Sequence, residues 1–210
     1  KDILSFLPQN YGESPPRVNP TDDPERREET LRTIIPGDPK KSYDMRKVLK
    51  SILDHGHFFE MKPRFAKNIL TGFGRMEGWP VRIIANQPMH LAGALDVDAS
   101  DKASRFIRFC DAFNISLLTF VDIPGYLPGV DQEHRGIIRH GAKMLFAYAE
   151  ATVPKITVIL RKDYGGGKQA MCSKPMGTDL VLAWPSAELA VMGAEGAVKV
   201  VCRKEIQESK

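Results

Sequence analysis

Tyr164-Gly165-Gly166-Gly167 follows the apolar run Ile156–Leu160 and precedes a segment of helical texture that starts near Gln169. Three consecutive glycines carry no Cβ, so the chain can take unusual φ/ψ there and let its N–H groups converge on one ligand atom. At a strand-to-helix junction those donors also lie at the positive end of the helix. Such a turn can hold an oxyanion, and preorganised donors typically contribute roughly 3 kcal/mol at a transition state. A plain glycine turn has the same texture. The stretch lacks the GKS/T ending of a phosphate loop and the GxGxxG spacing of a dinucleotide site, which argues against ATP and NAD as ligands.

A second loop, Asp122-Ile123-Pro124-Gly125-Tyr126-Leu127-Pro128-Gly129, ends the run Leu117–Val121. Two Pro-Gly breaks four residues apart make a rigid loop at the carboxyl end of a strand, the edge where open α/β sheets bind ligands. It also reads as a structured turn. Side-chain chemistry is poorly provided for: there is no GxSxG elbow, no Cys with a nearby His, no HExxH and no DxDxDG. Asp122, Asp163, Glu188 and Glu195 read first as loop or capping carboxylates. His55 and His57 sit in a Gly-containing turn and read as surface loop before metal site, so no metal is expected. An enzyme with this sequence has to work through backbone donors.

The elements that must position these loops are legible from Met45 onward. Met45, Val48, Leu49 and Ile52 stand at i, i+3, i+4 and i+7, the stripe of an amphipathic helix. Strand-like runs follow at Phe58–Met61, Ile69–Met76, Val81–Ala85, Leu117–Asp122, Lys155–Leu160, Leu180–Ala183 and Leu189–Met192. Helical patterns at Ala99–Phe113, Gly136–Ala149 and Gly193–Val201 separate the later ones, which predicts an α/β fold with right-handed crossovers. Residues 8–43 hold seven prolines among polar residues and predict an extended linker with one short helix near Pro24–Ile34.

Composition sets the outer limits. The 210 residues, 42% hydrophobic and 27% charged, suit one main domain with an appendage. The net charge of +4 is dispersed, with no basic stripe of the kind nucleic acid requires. No apolar run reaches the roughly 20 residues that span a bilayer. Cys110, Cys172 and Cys202 lack metal or redox spacing and point to a reducing compartment, the cytoplasm or, in a eukaryote, the mitochondrial matrix. The opening residues, Lys1 to Pro8, form no signal peptide, and the expectation is a chain that begins inside a larger polypeptide or at a processed start.

Longer runs carry a resemblance. Asn68–Gly74 (NILTGFG), Asn86-Gln87-Pro88, Leu95–Ser100 (LDVDAS), Phe109–Asn114 (FCDAFN), Phe120–Gly141 (FVDIPGYLPGVDQEHRGIIRHG), Tyr148–Lys155 (YAEATVPK) and Ala183–Val198 (AWPSAELAVMGAEGAV) resemble, in order, the C-terminal carboxyltransferase domain of biotin-dependent acyl-CoA carboxylase β subunits of the propionyl-CoA carboxylase type. The resemblance implies a crotonase-like ββα superhelix, with residues 1–44 as inter-domain linker and 45–210 as a C-terminal domain cut short at its end. It implies carboxyl transfer from carboxybiotin to the α-carbon of a short-chain acyl-CoA, propionyl-CoA foremost, with biotin carried covalently by a partner subunit.

In that family the active site lies between an N-terminal domain that binds the CoA thioester and the C-terminal domain of another subunit, which binds biotin. The matching backbone amides here are those of Gly166 and Gly167, facing the ureido oxygen. The biotin anion left once carbon dioxide departs serves as base on the α-carbon, so no side-chain base is implied. Pro124, Gly125, Tyr126, Tyr164 and Gly165 would line the biotin pocket, and Gln169 stands at the position that shapes acyl-chain choice. Lys168, Gln169 and Cys172 depart from the family pattern. The implied partners are a biotin carboxylase and biotin carboxyl carrier subunit and further β subunits in a dimer-based hexamer. With the CoA half outside these residues, the chain alone is expected to be inactive. Two alternatives stay open: a decarboxylase or transcarboxylase subunit, the former in a membrane complex, and a non-catalytic oligomerisation module of this fold.

Overall fold

The computed structural model describes residues 1–208. Its centre is a seven-stranded mixed sheet: β1 (Phe59–Glu60), β2 (Ile69–Met76), β3 (Trp79–Asn86), β4 (Leu117–Ile123), β5 (Lys155–Tyr164) and β6 (Leu180–Ala183) lie side by side in that order, and β7 (Glu188–Ala190) also pairs with β5. β1, β2 and β3 are antiparallel, whereas β3, β4, β5 and β6 run parallel. Glu77 and Gly78, both at positive φ, close the β2–β3 hairpin with the two-residue turn such strands favour. Helices α1 (Met45–Ile52), α2 (Val97–Ala112), α3 (Val130–His134), α4 (Ile137–Glu150), α5 (Gly165–Ala170), α6 (Ala194–Val201) and α7 (Arg203–Glu208) complete the chain.

Both faces are covered over the central strands, as buried parallel strands require, whereas β6 and β7 are largely exposed. β4 is buried at every position. On one side Phe106 of α2 and Tyr148 of α4 cluster with Phe73, Ile84, Val121 and Ile159 of the sheet. On the other, Leu49 of α1 meets Leu70, Ile83, Phe120 and Leu160. The Asp96 carboxylate accepts a hydrogen bond from the Ala99 N–H at 2.8 Å and so starts α2 two residues before the expected Ala99.

Three local expectations change. The helix expected near Pro24–Ile34 is only a 3-10 turn, Glu29–Arg32, because the charged run Glu-Arg-Arg-Glu-Glu offers no apolar stripe to bury. β5 continues past Leu160 to Tyr164, since Arg161 and Asp163 are buried within it. The helix expected from Gln169 begins at Gly165, so the glycines are themselves its first turn.

Residues 1–44 are largely irregular yet packed against the domain. Phe6 enters one core cluster and Ile35 and Tyr43 the other. The Arg75 guanidinium donates to the carbonyls of Ser5 and Pro16 at 2.6 and 2.9 Å. His55 and His57 lie at a tight turn, and no cluster of three potential metal ligands occurs among the described residues.

Candidate functional site

The two loops singled out in the sequence leave the carboxyl ends of neighbouring parallel strands, β4 and β5, and meet there. The strands are in register through Val121↔Ile159, and pairing resumes at Ile123↔Asp163. Residues 160–162 therefore stand opposite Asp122 alone, an irregularity of the kind that re-aims chains beside functional sites. Asp122 is fully buried and accepts from Arg161 Nε at 3.0 Å and from the Lys162 N–H at 3.2 Å. Burial pushes the Asp122 carboxyl above its usual range, and the Arg161 guanidinium offsets part of that.

β5 ends at Tyr164 in extended conformation, Gly165 turns to φ +55°, and α5 begins. A Cβ on Gly165 would lie 3.1 Å from the Val191 carbonyl oxygen as well as forcing a left-handed conformation. The first N–H groups of a helix have no acceptor within it, and no side chain caps this one. A left-handed residue leading into right-handed ones makes a nest, in which successive N–H groups face one concavity. Gly166 is exposed on a cleft of about 600 Å³ lined also by Gly165, Lys168, Gln169 and Leu189. Backbone donors at this position can hold an anionic or strongly polarised oxygen.

Gly167 is buried and seats the turn on the other loop. A Cβ there would lie 2.6 Å from Ile123 Cδ1 and 3.0 Å from Gly125 Cα. Hydrogen bonds from the Leu95 N–H to the Gly125 carbonyl (3.1 Å) and from the Leu127 N–H to the Leu95 carbonyl (2.8 Å) pin that loop to the approach to α2. Pro124 and Gly125 are half-buried beneath the turn. The Tyr126 ring wedges between α5 and α4, 3.7 Å from where a Gly166 Cβ would be and 2.7 Å, at Oη, from a Gly141 Cβ. Its hydroxyl is buried with no hydrogen-bond partner among the described residues, and burial pushes its pKa up to about 12.

The expected site residues thus divide. Gly165, Gly166 and Gln169 line the cleft, Gly167, Gly125 and Tyr126 support it from below, and Tyr164 turns away. The Tyr164 hydroxyl bonds the Glu188 carboxylate on β7, and burial, with Glu188, pushes its pKa up to about 12. The Gln169 side-chain oxygen accepts from the Ser173 hydroxyl. Asp163, read as a loop carboxylate, is instead buried in β5 and faces a second cavity of about 250 Å³ behind the cleft, with Val121, Ile159 and Met171 among its walls. Lys168 Nζ approaches at 3.8 Å, and burial drives the Asp163 carboxyl up to about 6 against that attraction. Neither Asp163 nor the Asp122–Arg161 pair carries a motif; their only signal is a charged residue where a strand continues.

Residues 1–210 match the family model described as the carboxyl transferase domain. The chain is 58% identical over 207 residues to the propionyl-CoA carboxylase carboxyltransferase subunit of Haloferax mediterranei, covering 99% of this chain and 40% of the relative. It is 55% identical over 203 residues to the methylmalonyl-CoA decarboxylase subunit alpha of Veillonella parvula, covering 97% and 40%. The crystal structure of transcarboxylase 12S, described as a hexamer assembly with methylmalonyl-coenzyme A and methylmalonic acid bound, superposes with a TM-score of 0.94. Its sequence is 57% identical, across 98% of this chain and 39% of that one. The chain spans about 40% of the length of the relatives it matches. Their shared fold is crotonase-like, as the sequence resemblance implied.

Proposed function

The chain belongs to the carboxyl transferase domain family, and from that premise we propose that it forms the biotin-facing part of an acyl-CoA carboxyltransferase, with the main-chain N–H groups of Gly166 and Gly167 directed at the ureido oxygen. The observation that supports this is the helix start at Gly165, which no side chain caps, whose φ is +55°, and which lies with Gly166 on the 600 Å³ cleft. The residues fit a neutral, compact ureido ring: the donors are backbone, the floor is glycine, and Leu189 and Val191 give an apolar wall. Biotin, carried by a partner subunit, supplies the transferable carboxyl group and a basic nitrogen once that group has left. The chain's own part is to orient the ring and to stabilise charge on its oxygen with dipoles that need no reorganisation.

The acyl acceptor we assign is a short-chain acyl-CoA, propionyl-CoA in the carboxylating direction, on the strength of the relatives' activities. The decarboxylase and transcarboxylase relatives at 55% and 57% identity support the same transfer run in other directions, with the partner subunits deciding which. A hexamer of full-length subunits follows from the same kinship.

The test uses the full-length protein and transfer between methylmalonyl-CoA and free biotin. Gly166→Ala places its methyl 3.7 Å from Tyr126, an ordinary contact, and keeps the N–H. Gly166→Pro deletes the N–H at a helix position where no intrahelical bond is lost. Transfer is expected to fall about 10²–10³-fold in the proline variant relative to the alanine variant, the usual effect of losing one such donor. Equal rates, with both variants folded, would remove the backbone-donor reading.

A further inference from the structure

Asp122 stands one residue before the end of β4 and Arg161 three before the end of β5, the strands whose loops meet at the site, and neither touches the cleft. Both are almost wholly buried, with side chains 1% and 5% exposed. A buried ion pair is a poor device for stability, because desolvation of both charges cancels most of their attraction. The position of this pair gives it another use. It closes the stretch where three residues of β5 face one of β4, with both Asp122 oxygens accepting from β5. Three residues beyond Asp122 is Gly125 and six beyond Arg161 is Gly167, and these two glycines touch with no room for a methyl group. The remaining side of Arg161 is also engaged. Nη1 donates to the carbonyls of Lys41 (2.8 Å) and Asp38 (3.4 Å), and the guanidinium lies 5.1 Å from the Tyr43 ring centre.

We propose that Asp122 and Arg161 are positioning residues that set the spacing between the Gly125 loop and the Gly165–Gly167 turn, and that Arg161 ties this spacing to residues 38–43 of the N-terminal segment. The inference rests on the reading of the turn as the biotin-facing site. A displacement of about 1 Å in such a site lowers turnover about 10²-fold. The pair therefore acts on the rate through Gly167 without contact to either reactant.

The experiment compares two variants of the full-length protein, Asp122→Leu/Arg161→Met and Arg161→Lys. The double variant removes both charges at similar volume, which proteins often accept without loss of stability. The single variant keeps the charge and loses the fork that reaches Lys41 and Asp38. For each, the urea midpoint, the KM for the acyl-CoA, kcat for transfer, and the affinity for free biotin by calorimetry are measured. A parental urea midpoint and acyl-CoA KM, together with about a 10²-fold fall in kcat and weaker biotin binding, is the expected result. Parental kcat and biotin affinity in a folded variant, or a loss that only follows the folded fraction, would overturn it. Should the double variant fail to fold, Arg161→Lys carries the same two outcomes. Gly166→Pro separates the two levels: an active proline variant defeats the site reading itself, whereas an inactive one beside active pair variants defeats only the positioning role.

Discussion

Asp163→Asn is expected to stabilise the fold at neutral pH and to do nothing in acid. The Asp163 side chain is 3% exposed, accepts no hydrogen bond among the described residues, and has one cation, Lys168 Nζ, at 3.8 Å. Burial raises its carboxyl from 3.8 to about 6 despite that cation. A raised carboxyl favours folding below pH 3.8, where both states are protonated, and loses that advantage as pH rises through 6. At about 1.4 kcal/mol per pH unit, the penalty above pH 6 amounts to about 3 kcal/mol. Asparagine has nearly the same shape and never ionises, so the variant escapes the penalty. Urea unfolding of parent and variant at pH 4, 5, 6 and 7 measures the difference. Asp44 and Asp101, whose carboxyls are held low, weaken both proteins in acid and cancel from the comparison. The gap should open from near zero at pH 4 to about 2–3 kcal/mol at pH 7. Lys168→Met in the parent should carry the plateau to higher pH. A gap that is constant with pH, or a variant weaker than the parent at pH 7, would show that the Lys168 contact outweighs burial and refute the reasoning.

Two further outcomes follow from the same geometry. Gly165→Ala should destabilise the fold by about 1–2 kcal/mol, the cost of a left-handed L-residue, with the Val191 carbonyl 3.1 Å from the new methyl adding to it; a variant with the parental urea midpoint would contradict the φ of +55°. Tyr126→Phe removes a buried hydroxyl that has no partner and should raise stability by about 1 kcal/mol while leaving the ring against Gly166; a loss of stability would mean that the hydroxyl is satisfied after all.

Much of the scaffold was legible because it is written in periodicity. α1 buries Met45, Val48 and Leu49, three of the four residues of its predicted stripe, and β2 and β6 occupy the residues expected of them. The turn at Tyr164–Gly167 was visible as a junction, since three glycines after a strand have few other uses. What the sequence concealed lies in tertiary partners. Arg161 reads as a strand terminator, yet the Asp122 carboxylate and the carbonyls of residues 38 and 41 let it be buried, so β5 runs on to Tyr164. Asp163 likewise reads as a loop residue, and only the packing of α5 against β4 and β5 shows that it faces a cavity. The family resemblance puts Tyr164 in the biotin pocket, whereas its hydroxyl bonds Glu188 on β7 and the residue is not part of the cleft's lining.

Backbone-donor sites separate what a residue contributes to geometry from what it contributes to ligand choice. The Gly165–Gly167 turn is fixed by one left-handed φ and by the contact of Gly167 with Ile123 and Gly125, none of which involves the side chains of Lys168 or Gln169. Those two side chains, together with Leu189, line both the cleft and the cavity behind it. They are also two of the positions at which the sequence departs from the family pattern. Substitution there changes the polarity and reach of the wall between the two spaces, with the buried Asp163 carboxylate behind it, and leaves the donors where they are. Under the proposed function, divergence among relatives is expected to appear as altered acyl selection before it appears as a loss of carboxyl transfer, because that proposal assigns the first to the wall and the second to the turn.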